Sequence, residues 1–259
     1  MPTKITDIDT KIAQSILAIG NSGTGKSIAM CSLPGPILDI SLDDRIRPIV
    51  EYYRGHREDI YFERPQKFDD INNIVDRLEH DCPYNTVIID PVTNLSQSLL
   101  DYSTSLTVGD KERKGKKRGV IDVAGIEDYQ VETKGITDII FNAKIAQKIH
   151  NFNLVFVAHL LKVDHYKVGG QISHTTQDIL TAGRKIAAFI PTQFDEIYYF
   201  RAEADPTNNK SKYLVRTFND GEVAARTSYI DMPPEIDWTG SRNFYGFISK
   251  YFGAKKEQE

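Results

Sequence analysis

The feature that most constrains the fold of this chain is an octapeptide near its amino end. The pattern G-x-x-x-x-G-K-[S/T] is matched at every position by Gly20, Asn21, Ser22, Gly23, Thr24, Gly25, Lys26 and Ser27. A short apolar run at residues 14–19 precedes the octapeptide, and a segment typical of a short helix follows it. Because glycines let the backbone wrap around an anion and a helix N-terminus favours negative charge, this order predicts a phosphate-binding loop.

Two side chains of the phosphate-binding loop have distinct predicted roles. Lys26 can reach the β and γ phosphates of a nucleoside triphosphate as a compact cation, and the Ser27 hydroxyl can be a ligand of Mg²⁺. The alternative interpretation is a glycine-rich turn that fits the pattern by chance. The strand before the loop and the helix after it favour nucleotide binding, because the motif requires both.

A second metal ligand is predicted at the end of another apolar segment. Residues 86–89 are apolar and rich in β-branched side chains, as expected of a buried strand, and Asp90 follows them. We predict that this strand neighbours the one before the loop and that Asp90 holds the Mg²⁺ shell. The alternative role is a cap on the following helix, where Asp is common. Since Pro91 comes next, an Asp-Glu pair is missing and a catalytic base must come from elsewhere.

Predicted strands and helices alternate along the chain. Helical patterns recur in four segments, and short apolar runs lie between them. The predicted helices are 43–53, 67–80, 95–106 and 129–150, and the predicted strands are 14–19, 37–40, 60–63, 86–89 and 153–158. This alternation predicts an α/β fold with a mostly parallel central sheet flanked by helices.

The remaining segments are predicted to form one hairpin and several loops. Residues 195–219 hold two strand-like runs around a polar turn, which predicts an antiparallel hairpin near the C-terminus. The polar, glycine-containing stretch 160–181 is expected to be a loop. Because no repeat and no linker is visible, we expect one domain over residues 1–259, with a core at about 12–220 and a C-terminal extension at 221–259.

Composition excludes several classes of protein. No apolar run approaches the roughly 18 residues of a membrane span. The two cysteines, Cys31 and Cys82, are too few for a disulfide scaffold or a structural zinc site. The polar residues 1–11 lack the apolar core of a signal peptide. We therefore expect a reduced, cytoplasmic protein that has no membrane partner.

Positive charge is concentrated in one segment of an otherwise acidic chain. Residues 111–118 contain six basic residues and one Glu, a local charge of +5. The whole chain carries a formal charge of −4, so the remainder carries −9. A protein with this distribution does not attract polyanions over its whole surface, and any contact with a nucleic acid must be local.

The order and spacing of these segments resemble a known family. The phosphate-binding loop, LPGPILDISLDD, IIDPVTNL, VFVAHL and FDEIYYF are similar to segments of phage-encoded nucleotide-binding proteins of the RecA-like P-loop class, which includes small single-strand annealing ATPases. The resemblance covers roughly residues 12–220, and only the loop is specific by itself. It implies a RecA-like core, ATP bound with Mg²⁺ between subunits of a homo-oligomer (a ring or a filament), and a location in the host cytoplasm.

The same resemblance assigns roles to residues around the phosphates. Enzymes of this class have a catalytic glutamate after the strand that follows the loop's helix, and that position falls on Ser41, whose hydroxyl is a poor general base. Asp39 and Asp43 are the candidate replacements, and Asp43 is preferred because it lies nearer the end of the strand. His159 falls where a polar residue senses the γ phosphate; the alternative is a hydrogen-bonded core histidine. Together with Lys26, these are the predicted catalytic residues.

In the proteins that this chain resembles, two loops hold single-stranded DNA. One loop comes after the strand that ends at the Mg²⁺ ligand, and the other comes after the strand that precedes the sensor residue. The corresponding segments here contain cations that can neutralise phosphates and a ring that can stack on a base. The alternative is a solvated run of charge. The predicted DNA-binding residues are Lys111, Arg113, Lys114, Lys116, Lys117, Arg118, Lys162, Tyr166 and Lys167.

These features lead to one main hypothesis about function. It is an ATP-hydrolysing protein that binds single-stranded DNA as an oligomer in phage recombination, annealing or replication. The alternative is an ATP-binding assembly switch or accessory protein with little turnover, which Ser41 favours. A DNA-packaging ATPase is disfavoured by the missing Glu after Asp90. An arginine from a neighbouring subunit is also expected at the ATP, and Arg184, Arg201 and Arg216 are the candidates.

Overall fold

Helices and strands alternate through most of the structure, a computed structural model that describes residues 13–107, 124–167, 170–205 and 210–252. The strands are β1 (Ser15–Gly20), β2 (Ile37–Ser41), β3 (Ile60–Glu63), β4 (Thr86–Asp90), β5 (Asn153–Ala158), β6 (Leu160–Tyr166), β7 (Ile172–Ile179), β8 (Glu196–Asp205), β9 (Lys210–Arg216) and β10 (Glu235–Asp237). The helices are α1 (Lys26–Met30), α2 (Arg47–Tyr53), α3 (Phe68–His80), α4 (Val92–Thr107), α5 (Ile126–His150), α6 (Arg184–Phe189) and α7 (Tyr245–Ile248). Short 3₁₀ turns at Ile190–Gln193 and Ser249–Tyr251 directly follow α6 and α7.

Eight of these strands form one sheet, in the order β10-β9-β8-β1-β5-β4-β2-β3. The strands from β8 to β3 in that order are all parallel. The other two, β9 and β10, extend the sheet in antiparallel fashion. The predicted α/β fold, with a mostly parallel sheet and an antiparallel C-terminal hairpin, is therefore confirmed.

The side chains of β1 show how helices cover both faces of the sheet. Leu17 and Ile19 belong to a buried cluster with residues of α3, α4 and α5. Ile16 and Ala18 belong to a second cluster, with residues of α1, α2 and the C-terminal segment, residues 229–252. Because successive side chains of a strand point to opposite faces, an apolar strand of this kind needs a cover on each side. The strand that leads into the phosphate-binding loop is thus packed from both sides.

The parallel strands bring the predicted site residues to one edge of the sheet. β5 lies between β1 and β4, so the predicted direct contact between the loop strand and the Asp90 strand is wrong. β2 lies beyond β4, and its last residue, Ser41, is paired in register with Asp90. The carboxyl ends of β1, β5, β4 and β2 therefore meet at the same edge, which is where ligands bind in open α/β sheets.

Two segments differ from the sequence-based prediction. The helix predicted over 43–53 begins only at Arg47, with Pro48 in its first turn, where the missing N–H of proline is not needed. The prediction of a loop over 160–181 is wrong, because this stretch contains the antiparallel β6–β7 hairpin. Its polarity suggested a loop, but Val163 and the Thr175-Thr176 pair are β-branched and favour a two-stranded ribbon.

Candidate functional site

The phosphate-binding loop connects β1 to α1 and depends on glycine at two positions. Gly20 has φ of +151°, and a Cβ there would lie 2.2 Å from the carbonyl oxygen of Phe200. Gly25 has φ of +83° and immediately precedes α1, and a Cβ there would lie 2.7 Å from the ring of Trp238. A side chain at either position would be both strained and sterically blocked. The pattern read from the sequence is therefore also a packing requirement.

Lys26 lies at the start of α1 and directs its ammonium group back into the loop. The residue is 5% exposed, and Nζ donates hydrogen bonds of 2.8 Å to the carbonyl oxygens of Gly20 and Asn21. Burial lowers the pKa of Lys26 to about 8, while the charges of Asp90 and Asp43 oppose that shift. At neutral pH most of the lysine is therefore a buried cation, and its hydrogen-bond partners in the loop are uncharged carbonyl oxygens.

Ser27 and Asp90 are joined directly although β5 separates β4 from the loop strand. The Ser27 hydroxyl donates a hydrogen bond to Asp90 Oδ2. Burial raises the pKa of Asp90 to about 6, and the hydrogen bond from Ser27 and the charge of Lys26 oppose that shift. The pair therefore presents a hydroxyl and a carboxylate, which are oxygen donors of the kind that Mg²⁺ prefers, close to the buried lysine.

His159 directly follows β5 and lies beside the loop. β5 pairs with β1 as far as Ala158 and Ile19, so His159 is level with Gly20. Its Nδ1 is 3.4 Å from Lys26 Nζ, and burial together with the lysine charge lowers the pKa of His159. The nitrogen of a neutral imidazole can accept a hydrogen bond from the ammonium group. The residue predicted as a sensor and the lysine predicted to bind phosphate are thus brought into contact.

Three residues surround the position where a catalytic glutamate was expected. Asp39 and Ser41 are buried on β2, whereas Asp43 lies beyond the end of the strand. The strand face that Asp39 and Asp43 were expected to share therefore holds Asp39 and Ser41 but not Asp43. Asp39 Oδ1 has no hydrogen-bond partner among the described residues, and burial and the charge of Asp90 raise the pKa of Asp39 well above its usual range. Asp43 is an ion-pair partner of Arg45 at 3.5 Å.

All of these groups line one end of a cleft with a volume of about 560 Å³. We call this the phosphate end. The opposite end, which no sequence motif indicated, has aromatic walls formed by Tyr52 of α2, Tyr213 of β9 and Trp238, and we call it the aromatic end. Gly240 and Ser241 of the C-terminal segment also line it. Only the tertiary fold brings these residues together, because they are far apart in the sequence.

A second cleft, of about 510 Å³, adjoins the phosphate end on the side of the β6–β7 hairpin. Asp43, Arg45 and His159 line both clefts, and Leu180 at the end of the hairpin lines the second one. Arg45 Nη1 lies 3.5 Å from Ser22 Oγ, so this exposed cation reaches the mouth of the loop. Sequence reasoning missed Arg45, because a single arginine beyond a strand gives no signal.

The predicted DNA-binding residues fall into two groups. Lys162, Tyr166 and Lys167 lie on the β6–β7 hairpin, and the Lys162 and Tyr166 side chains are well exposed. The hairpin also carries Asp164 and Asp178, so it is less cationic than the prediction assumed. The other predicted residues lie outside the described part of the chain: Lys111, Arg113, Lys114, Lys116, Lys117 and Arg118.

Two histidines lie opposite each other on the β6–β7 hairpin. His165 and His174 stack across the β6–β7 hairpin with ring centroids 4.3 Å apart. Among the described residues, no cluster of three or more His, Cys, Asp or Glu side chains is arranged to hold a metal. Within the same ranges, no helix is both long enough and apolar enough to cross a membrane.

Comparisons with known proteins provide a fold neighbour and a family. Among solved structures, the chain is similar to a KaiC-like protein from the hyperthermophilic archaeon Pyrococcus horikoshii, with a TM-score of 0.46 and 10% identity, over 90% of this chain and 88% of that one. A search of curated proteins gave no match. A family model described as an AAA domain matches residues 12–229, which include the phosphate-binding loop, Asp90 and His159. The chain belongs to this AAA domain family of P-loop nucleotide-binding proteins.

Proposed function

We propose that the cleft binds ATP together with Mg²⁺ and that the chain hydrolyses the nucleotide. The observation that supports this most directly is the cluster of Lys26, Ser27 and Asp90 at the carboxyl ends of the strands. The close partners of the buried ammonium group are uncharged acceptors: the carbonyl oxygens of Gly20 and Asn21 and the Nδ1 atom of His159. A triphosphate would give it a charged partner, and charge-assisted hydrogen bonds of this kind are roughly twice as strong as neutral ones.

Mg²⁺ would be held by Ser27 and Asp90. Both residues offer oxygen ligands. Asp39 also lines the cleft, and its buried Oδ1 has no hydrogen-bond partner among the described residues. Burial raises the pKa values of Asp39 and Asp90 and so disfavours their ionised forms, which a divalent cation would favour. When bound, the ion neutralises charge on the phosphates during transfer.

Hydrolysis also requires a group that orients or deprotonates the attacking water. Asp43 is the candidate that we favour, because it lines both the main cleft and the second cleft beside His159. Asp39 lines only the main cleft and is buried on β2, so it has less access to a water that approaches from outside. Lys26 would stabilise charge on the phosphates, and His159 would respond to that charge through its contact with Lys26.

A second candidate function is an ATP-dependent assembly switch with little turnover. The observation that favours it is Ser41, which is paired in register with Asp90 where a glutamate was expected. The ion pair between Asp43 and Arg45 adds to this case, because it engages the carboxylate that would otherwise orient the attacking water. Turnover therefore separates the two candidates, whereas ATP binding is common to both.

We also propose that single-stranded DNA binds residues 111–118 and the β6–β7 hairpin of an oligomer, in annealing or strand exchange during phage recombination or replication. The position of His159 supports a link between ATP and the hairpin. The carbonyl oxygen of His159 accepts a 2.8 Å hydrogen bond from the backbone N–H of Leu180. This bond joins the two ends of the β6–β7 hairpin. The exposed ring of Tyr166 is available for stacking on a base.

The candidate arginines differ in how strongly their own chain holds them. Arg201 forms ion pairs with Glu203 and Glu235, and Arg216 forms one with Asp220. Arg184 is exposed at the start of α6 and has no ion pair among the described residues. We therefore favour Arg184 as the residue that reaches the ATP of a neighbouring subunit.

ATP turnover with and without single-stranded DNA tests these proposals. Lys26→Ala is the disabling variant, and Lys134→Ala is the matched control because Lys134 is exposed on α5 and pairs with Asp138 away from the cleft. We expect DNA-stimulated hydrolysis in the wild type and the control, and none in Lys26→Ala. ATP binding without turnover under either condition would support the assembly switch. A wild type that does not bind ATP would refute both functions.

The DNA proposal has its own test. We expect that replacing the six basic residues of 111–118 by Ser abolishes binding of single-stranded DNA but leaves ATP affinity unchanged. In the wild type, DNA affinity should fall steeply with salt, with a log–log slope that decreases by about 0.7 for each phosphate contact removed. Unchanged DNA affinity in the substituted chain would refute the assignment of this segment.

A further inference from the structure

The aromatic end of the cleft has no role in phosphate binding, yet it is continuous with the phosphate end. We propose that it is a nucleobase-binding site, in which a base of the bound nucleoside triphosphate lies against Tyr52, Tyr213 and Trp238. This inference rests on the proposed nucleotide binding and adds the part of the ligand that the phosphate-binding loop does not recognise. The cleft volume of about 560 Å³ is within the range of pockets that enclose a ligand of nucleotide size.

The rings are arranged as walls around an open volume. Trp238 and Tyr213 have ring centroids 5.6 Å apart with an angle of 50° between their planes, so neither ring covers the face of the other. The edge of Trp238 lies over Gly25, which places an aromatic surface next to the loop that is proposed to bind the phosphates. Stacking on such rings recognises any base, because every base has a π face.

An unpaired hydrogen-bond donor lies in the same wall. Trp238 is 4% exposed and lines the cleft, and its indole Nε1 has no hydrogen-bond partner among the described residues. A buried N–H without a partner is unfavourable, and the great majority of such groups in native proteins are satisfied. Bases carry ring nitrogen or carbonyl acceptors at their edges. A base whose acceptor is positioned at Nε1 would satisfy this donor.

The wall is held in position from both sides of the cleft. The Tyr52 hydroxyl donates a 2.7 Å hydrogen bond to the carbonyl oxygen of Ser241, which joins α2 to the C-terminal segment. The backbone N–H of Tyr245 donates a 2.8 Å hydrogen bond to Ser32 Oγ, just after α1. Both Trp238 and Ser241 lie beyond residue 229, where the match to the AAA domain family ends. The C-terminal segment therefore adds Trp238 to a wall whose two tyrosines, Tyr52 and Tyr213, lie within the matched residues.

The test compares two ligands that differ only in the presence of the nucleoside. The affinities of ATP and of inorganic tripolyphosphate, each with Mg²⁺, are measured by calorimetry for the wild type, Tyr213→Ala and Trp238→Phe. Tyr129→Ala is the matched control, since Tyr129 is a partly exposed residue of α5 that does not line the cleft. Trp238→Phe retains an aromatic ring among Phe200 and Phe244 but removes Nε1, so it limits damage to the core.

We expect Tyr213→Ala to weaken ATP binding by about 10-fold and Trp238→Phe by about 3- to 10-fold, with tripolyphosphate affinity unchanged in both. Because Trp238 is the only tryptophan of the chain, ATP should also change the intrinsic fluorescence in a way that tripolyphosphate does not reproduce. Unchanged ATP affinity in both variants, or an equal loss for both ligands, would overturn the base site. A wild type that binds neither ligand would instead overturn the proposed nucleotide binding itself.

Discussion

The two ends of the cleft are built in different ways. The phosphate end comes from one octapeptide, Gly20 to Ser27, and from residues that directly follow or end parallel strands, such as Asp90 and His159. The aromatic end comes from Tyr52 and Trp238, which are far apart in the chain and meet only in the folded protein. The comparison shows that one binding site can combine a part specified by local sequence with a part that depends entirely on tertiary structure.

The two ends also differ in how they affect the stability of the empty protein. Burial lowers the pKa of Lys26 and raises that of Asp90, so at both groups the charged form is disfavoured by its surroundings. At the aromatic end, Trp238 and its neighbours bury apolar surface, which stabilises the fold. The phosphate end is therefore expected to weaken the empty protein and the aromatic end to strengthen it.

The largest effect on ligand binding is expected at the phosphate end, from Asp90→Asn. Loss of the carboxylate removes the predicted Mg²⁺ ligand, and we expect the affinity for Mg²⁺-ATP to fall by at least about 30-fold, the equivalent of roughly 2 kcal/mol. Calorimetric titration with ATP in the presence and absence of Mg²⁺ measures the change. An affinity that stays within a factor of two of the wild type would show that Asp90 does not hold the ion.

The same variant should make the empty protein more stable at neutral pH. The folded-state pKa of Asp90 is about 6, above the value of about 3.9 for an unfolded chain, so the folded protein holds this proton more tightly. The resulting stability is present below about pH 4 and is lost as the pH rises through 6. In metal-free buffer at pH 8, we expect Asp90→Asn to be about 1–3 kcal/mol more stable than the wild type, with the difference shrinking towards pH 4. Urea unfolding across this pH range measures it, and a difference independent of pH would contradict the assignment.

Two glycines of the loop provide a matched comparison of intermediate size. Gly25→Ala combines a strained backbone with a collision against Trp238, and we expect it to cost about 2–4 kcal/mol of folding free energy. Gly23 has a similar φ of +79°, but a Cβ there meets nothing within 4 Å, so Gly23→Ala should cost only about 1 kcal/mol. Denaturant unfolding of the two variants measures the contribution of the contact between loop and indole. Equal losses would mean that this contact is unimportant.

The smallest expected effect is at the aromatic end. Tyr52→Phe removes the hydrogen bond to the Ser241 carbonyl but keeps the ring, so we expect a loss of about 0.5–1.5 kcal/mol of stability. ATP affinity should fall by no more than about threefold, because the wall becomes less well positioned. Tripolyphosphate affinity, measured in parallel, should not change. A similar loss for both ligands would mean that the two ends of the cleft are not independent.

The sequence predicted which residues meet at the phosphate end, because they follow local rules. The octapeptide has fixed spacing, and Asp90 and His159 each come directly after an apolar run, so a parallel sheet brings them to one edge. The order of the strands could not be predicted in the same way. Nothing in the apolar runs indicated that β5 lies between β1 and β4. Buried parallel strands are all continuous apolar segments, so their sequences do not show which strand is next to which.

The β6–β7 hairpin and the aromatic end of the cleft were not predicted, and the physical reason differs between them. The β6–β7 hairpin is only partly buried, so its strands are polar and resemble a loop in composition. Tyr52 and Trp238 belong to no spacing pattern, because the cleft wall they form is created by packing of α2 against the C-terminal segment. The roles of the basic segment 111–118 remain predictions.

The position of His159 has a mechanical consequence for the β6–β7 hairpin. The hairpin begins immediately after His159 and ends just before Leu180, whose backbone N–H bonds to the His159 carbonyl oxygen. Both strands therefore have one end within hydrogen-bond distance of a residue that also contacts Lys26. β6 is seven residues long, which gives an arm of about 23 Å at roughly 3.3 Å per residue. The backbone N–H of Gln177, which is paired with Lys162, also donates a 2.9 Å hydrogen bond to the carbonyl oxygen of Glu222. The hairpin therefore has a second anchor, and its tip can swing without breaking that bond only by bending beyond Gln177.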